Sequence, residues 1–267
     1  MPTFDSRGPI SVDLEIGVGE IRLTASDRTD TVVEVRPADP AKKGDVAAAQ
    51  QTQVEYADGV LRIRSPKVWR NFSFRAGADA IEVTIEVPAG SALRGSAGLA
   101  GLHTTGRLGE CRYKAGAGDI RIAEAGAVSL RTSAGDITVG QVQGHCDIAT
   151  ASGALRVGRV DGTVAVKTAN GDIRIGELVR GAAVARTAYG RIDVGIRDGV
   201  AAWLDLNTAF GKVTSDLEAA ARPAPGEDTV ELKARTAYGD ITVRRAAADP
   251  SGDAASTQGV EASRGQG

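Results

Sequence analysis

Three stretches of nearly the same form follow one another in the middle of this chain: VSLRTSAGDITVG at 128–140, CDIATASGALRVG at 146–158 and VAVKTANGDIRIG at 164–176. Aligned on a turn glycine, seven copies stand at Gly118, Gly135, Gly153, Gly171, Gly190, Gly211 and Gly239, with steps of 17, 18, 18, 19, 21 and 28 residues. Two places past the glycine come Ile120, Ile137, Leu155, Ile173, Ile192, Val213 and Ile241; four places past it the residue is again aliphatic, except at Ser215. Seven and five places before it lie further small or apolar pairs, Val164 with Val166 being typical. Alternation of this kind is a period-two strand with one buried face. Each copy therefore reads as strand, turn, strand and bend. A single copy has too little apolar surface to fold alone, whereas stacked copies share one continuous core. The constant phase of each column favours a β-solenoid, like residue over like, above a meander of hairpins.

Composition agrees with thin repetitive structure. Only 4% of the 267 residues are aromatic, and there are 34 glycines, so Val, Ile, Leu and Ala must fill the interior between many tight turns. The expected fold is all-β: a single-stranded β-helix-like solenoid of about 18-residue, two-strand coils over 91–245, an irregular strand-rich N-terminal cap over 1–90, and a disordered tail over 246–267. Gly19-Glu20-Ile21-Arg22-Leu23 looks like a distant copy of half a coil, and 41–53 has the composition of one short helix. The proline-rich run ARPAPGED accounts for the long last step.

Cys111 and Cys146 occupy one column two coils apart, with Val128 between them. At a coil spacing of roughly 4.8 Å their Cα atoms would lie about 9–10 Å apart, beyond disulfide reach. Two buried free thiols are expected.

Little here points to catalysis. His103 and His145 are the only histidines; neither sits in a nucleophile-elbow context or at zinc-ligand spacing. Asp119, Asp136, Asp172 and Asp240 form a column after the turn glycine, but Ala154, Arg191 and Lys212 interrupt it, so turn chemistry is favoured over calcium. The Thr rank (Thr132, Thr150, Thr168, Thr187, Thr208 and Thr236) is expected to satisfy turn backbone groups. The expectation is a non-enzyme with no cofactor and no metal.

Two features could form a binding surface. Lys114, Arg131, Lys167, Arg186 and Arg235 lie four places before the glycine, and Arg121, Arg156 and Arg174 three places after it. Stacked, they make basic stripes that could attract a polyanion, but a solvated face with its charges neutralised by nearby Asp and Glu is the favoured reading, and the net charge of −2 gives no global pull. The residue before the turn glycine becomes aromatic at Tyr189, Phe210 and Tyr238; mutual packing, with Trp203 burying the C-terminal end, is favoured over a docking patch. The stretch KVWRNFSFR at 67–75 mixes aromatic and basic residues, but an edge-covering loop is preferred to nucleic-acid binding.

The run of T-A-x-G-D-I-x-V units, preceded by DTVVEVRP and IEVPAGS, resembles a bacterial β-strand-repeat family, the toastrack domain of unknown function, whose members are also labelled "putative adhesin". The resemblance covers roughly 8–245 and implies a β-solenoid-like fold, no established enzymatic activity and no agreed functional residues. Some members carry membrane helices and belong to envelope-stress systems. This sequence has no signal pattern and no apolar run of membrane-spanning length, so a cytoplasmic location is expected. The function expected is a non-catalytic scaffold or interaction domain presenting a rigid face to an unidentified protein or anionic polymer. The alternative is a polysaccharide-binding or polysaccharide-cleaving β-helix.

Overall fold

The computed structural model describes residues 2–66, 79–217 and 228–246. The stretch 67–75, most of the proline-rich run and the tail past 246 lie outside the described residues. The chain is all-β apart from one helix. Its N-terminal elements are β1 (Thr3–Asp5), β2 (Ser11–Ser26), β3 (Asp30–Pro37), α1 (Lys43–Gln51), β4 (Gln53–Ala57), β5 (Val60–Arg64), β6 (Ile81–Pro88) and β7 (Ala92–Ala117). The repeat continues through β8 (Ile120–Ala134), β9 (Ile137–Val142), β10 (His145–Ser152), β11 (Leu155–Asp161), β12 (Thr163–Lys167), β13 (Ile173–Arg186) and β14 (Ile192–Ile196). It ends with β15 (Ala201–Phe210), β16 (Val213–Ser215), β17 (Thr229–Tyr238) and β18 (Ile241–Arg245).

Within the repeat, neighbouring copies pair in parallel and in register. Val128, Cys146 and Val164 are consecutive partners across β8, β10 and β12. Past the turn, Ile137, Leu155 and Ile173 do the same across β9, β11 and β13. Their side chains are essentially without solvent access and belong to a single cluster running the length of the stack. The turn glycines have φ between 133° and 151° at Gly118, Gly135, Gly153, Gly171, Gly190 and Gly239. A Cβ at Gly171 would sit 2.0 Å from the Gly153 carbonyl oxygen, so backbone conformation and coil spacing independently demand glycine.

The stack begins earlier than the seven copies indicate. β2 is itself a coil: Val12 partners Leu93, and Ile21 partners Leu102 on β7. The segment starting at Gly19 is thus a true copy, and 92–104 is another that the glycine alignment passes over. Its turn position is Ala100, and its inward positions include Gly95 and Thr104. The bulk missing at Gly95 is supplied by Tyr113 of the next coil, whose ring edge lies 3.0 Å from where a Gly95 Cβ would stand. Tyr113 is buried, and its hydroxyl has no hydrogen-bond partner; burial raises its pKa, with a smaller push from Glu20. Removing an unsatisfied buried hydroxyl costs nothing in hydrogen bonding. Tyr113→Phe is therefore expected to raise thermal stability, by about 1 kcal/mol in a denaturant titration, and a loss of that size would refute the packing just described.

Beyond β2, the arrangement turns antiparallel. β5 and β6 pair with the outer side of β2 in parallel, then β4 with β5, β3 with β6, and β1 with β3 run antiparallel. The helix expected within 41–53 is α1. It is anchored by Asp45, whose buried carboxylate accepts from the backbone N–H groups of Asp39 (3.1 Å) and Ala80 (3.0 Å) and pairs with Lys42 (2.9 Å). Burial alone would raise the Asp45 pKa; Lys42 and the two N–H donors outweigh it and hold the group below its ordinary value. Among the described residues, no helix is long and apolar enough to cross a membrane.

At the other end the expected coil order fails. Ala183 on β13 partners Leu232 on β17, and Leu204 on β15 partners the same Leu232 from the far side. Likewise Ile192 and Val213 both partner Ile241. The Gly239 coil is thus inserted between the Gly190 and Gly211 coils. The physical reason lies in the columns. Leu232, Ala234, Ile241 and Val243 are fully buried, as an internal coil requires. In the Gly211 coil, Val213 is 42% exposed and Ser215 replaces the aliphatic residue, so the least apolar copy takes the end. Trp203, expected to bury this end, is instead 71% exposed, because it alternates outward from Leu204.

Candidate interaction face

The turn that carries the candidate residues is tied coil to coil by side chains. Thr168, Thr187 and Thr236 donate through Oγ1 to the carbonyls of Gly153, Gly171 and Gly190 at 3.1–3.2 Å. Thr208 does so to Gly239 at 2.9 Å. The Thr rank therefore satisfies turn carbonyls, and five of its six members are buried. The aspartate column makes the reciprocal tie. The Oδ1 atoms of Asp119, Asp136, Asp172 and Asp240 accept from the backbone N–H of residues 136, 154, 191 and 212 at 2.8–3.0 Å. The Asp136 pKa is held down by the Ala154 N–H and then by Arg156. From the Gly171 turn onward a Thr hydroxyl, and where Asp is present a carboxylate, ties each turn to its neighbour, whereas Thr132 donates within its own turn to the Ala134 carbonyl at 3.1 Å. The same ties, Thr208 to Gly239 and Asp240 to Lys212, hold across the exchanged coils.

Both cysteines are free and buried, in register on either side of Val128. Burial pushes each thiol up to about 12, helped by Glu110 at Cys111 and Asp147 at Cys146. They are protonated packing residues rather than nucleophiles. His103 and His145 are both exposed on the outer faces of their strands.

The basic residues before the turn form one column. Lys114 stands against Arg131, then Ala149 interrupts, then Lys167, Arg186 and Arg235 follow on three adjacent coils. Arg131 is paired with Asp147, and Arg235 with Asp205 at 3.3 Å. Among the described residues, Lys167 and Arg186 are within ion-pair distance of no carboxylate, and both are exposed. The three arginines after the turn lie on the other arm of the coil and are each matched: Arg121 with Asp119 (3.1 Å), Arg156 with Asp136 (3.0 Å) and Arg174 with Asp193 (3.9 Å). The eight cations therefore do not make one face. Lys114 likewise has no carboxylate within ion-pair distance among the described residues, so Lys167 and Arg186 are the two such cations that stand on adjacent coils.

The aromatic residues make a ladder next to this line. Tyr189 and Tyr238 stack with centroids 4.9 Å apart and planes at 1°; Tyr238 and Phe210 stack at 4.9 Å and 7°. The order follows the exchanged coils. All three are 46–64% exposed, yet stacking leaves ring edges, not faces, toward solvent. A sugar or base needs a free ring face, and the middle ring, Tyr238, has both faces stacked, whereas Tyr189 and Phe210 each have one face not stacked on another ring of the ladder.

At the bends, a shallow groove of about 290 Å³ is lined by Pro9, Arg107, Leu108, Glu124, Gln141 and Gln143 among others. Glu124 is its one carboxylate among the described residues, whereas the two-carboxylate mechanism of glycoside cleavage requires a pair.

No curated protein matches this chain. Among solved structures, it is similar to a "putative adhesin" of Bacteroides fragilis at 17% identity, covering 91% of this chain and 96% of the other with a TM-score of 0.48. A "putative adhesin" of Parabacteroides merdae is 13% identical, with 91% and 94% covered and a TM-score of 0.41. A "putative lipid binding protein" of Parabacteroides distasonis is 14% identical, with 91% and 95% covered and a TM-score of 0.38. The family model described as Toastrack DUF4097 matches residues 10–266, a span that holds the parallel coils, the turn glycines and strands β2 to β18: this chain belongs to the Toastrack DUF4097 family.

Proposed function

We propose that this protein is a non-catalytic solenoid scaffold that holds a line of cations against a macromolecule carrying closely spaced negative charge. The observation that supports this reading is the run Lys167–Arg186–Arg235 on three adjacent coils. Like charges placed directly opposite across strands are destabilising. Here two of the three are within ion-pair distance of no carboxylate among the described residues, and the buried columns beneath them fix their spacing at roughly 4.8 Å. A rigid row of this kind gains affinity from a polyanion by charge pairing, with little side-chain or backbone rearrangement.

Retention on a sulfated-polysaccharide column, measured against salt, tests the proposal. Wild type is expected to elute later than the Lys167→Glu/Arg186→Glu variant, with a steep dependence on ionic strength. Arg121→Glu/Arg156→Glu, which reverses charges already matched by aspartate, is expected to change retention far less. Equal retention of all three proteins would end this reading, and turnover of the polysaccharide by wild type would end the non-catalytic part of it.

A further inference from the structure

The two ends of the stack are finished differently. At the N-terminal end, antiparallel strands and α1 extend past the first coil, with Ala48 and Ala49 packed on the core. At the C-terminal end, β15 pairs with β17 alone and β16 with β18 alone among the described residues. β15 is ten residues long, with no proline and no lysine. It carries Trp203 at 71% and Phe210 at 64% exposure, over the half-buried Leu204 and Leu206. Edge strands are usually shortened, bulged or charged to prevent pairing; this one has a single charge, Asp205.

The phase of its free backbone groups follows from the coils below. Thr168 N–H donates to the Arg186 carbonyl on the next coil, and Thr187 N–H to that of Arg235. Thr208 holds the same position in the last coil, so its N–H, and by alternation those of Leu206 and Leu204, aim outward from the stack.

We propose that this edge pairs with the β15 edge of a second copy, antiparallel about a two-fold axis at Leu206, giving a closed dimer. The side chains are self-complementary in that register. Leu206 meets its own counterpart, Leu204 meets the partner's Thr208, and Trp203 meets the partner's Ala209. Asp205 faces the partner's Asn207; its Oδ2 already binds Arg235 at 3.3 Å, which leaves Oδ1 to accept from the amide. Shifting the axis to Asp205 would set two carboxylates against each other, which is unfavourable. Because the pairing is about a two-fold axis and uses the β15 edge of both copies, the contact is isologous and closes at two copies.

Sedimentation of the full 267-residue chain across the micromolar range is the test. Wild type is expected to be a dimer. Asn207→Asp opposes two pairs of carboxylates across the axis and should raise the dissociation constant about tenfold, while Asn207→Lys should lower it. Position 207 is exposed, so both variants should melt as folded proteins. A wild-type monomer throughout the range, as expected if another part of the chain covers the edge, would overturn the proposal. So would a dimer that ignores both substitutions or weakens with both.

Discussion

Val166→Asp is expected to leave the protein unfolded at room temperature. Val166 has no solvent access and lies mid-stack, with Ile148 as its partner on one side and Ala185 on the other. A carboxylate there has no cation within its layer and no water. Burying it costs on the order of 5 kcal/mol whether it stays charged or takes up a proton. That is comparable to the whole stability of many domains. Because each coil is supported only by its neighbours, a fault in the middle separates the stack into two shorter pieces. Circular dichroism should show loss of the cooperative transition. A Val166→Asp protein that melts within a few degrees of wild type would mean that this column does not face inward.

Gly171→Ala has the second largest expected effect. Its φ of 150° is a conformation that side-chain-bearing residues rarely adopt, and the added Cβ would meet the Gly153 carbonyl oxygen at 2.0 Å. Strain and overlap together should cost about 4 kcal/mol. Gly59 supplies the control. Its φ of 72° is also positive, but a Cβ there would find nothing within 4 Å, so Gly59→Ala should cost only about 1–2 kcal/mol. Equal losses in denaturant titrations would show that coil-to-coil contact does not set the demand for glycine at the turn.

The columns were legible because stacking imposes one residue type at one phase: Gly for contact between turns, Thr and Asp for the ties between coils, Ile and Val for the core. Legibility ended where one coil borrows from another. The 92–104 copy has Gly95 where an aliphatic residue belongs, and the filler, Tyr113, lies one coil away. The exchanged order of the last two coils is invisible to an alignment that runs along the chain; Ser215, the weakest member of its column, was the available signal. The basic stripe was legible as a column but not as a charge distribution. Asp147, which neutralises Arg131, occupies a column that becomes its neighbour only once the register is known, whereas Asp193 stands in the same column as Arg174, one coil on.

The exchanged coils also bear on how the chain is made. During synthesis from the N-terminus, each coil up to β14 can settle onto the one before it as it emerges. β15 cannot, because its only partner among the described strands is β17, which the ribosome delivers later. The final edge of β13 and β14 is therefore filled only after β17 and β18 have been made, and the Gly211 coil takes its native place on the Gly239 coil, which follows it in the chain.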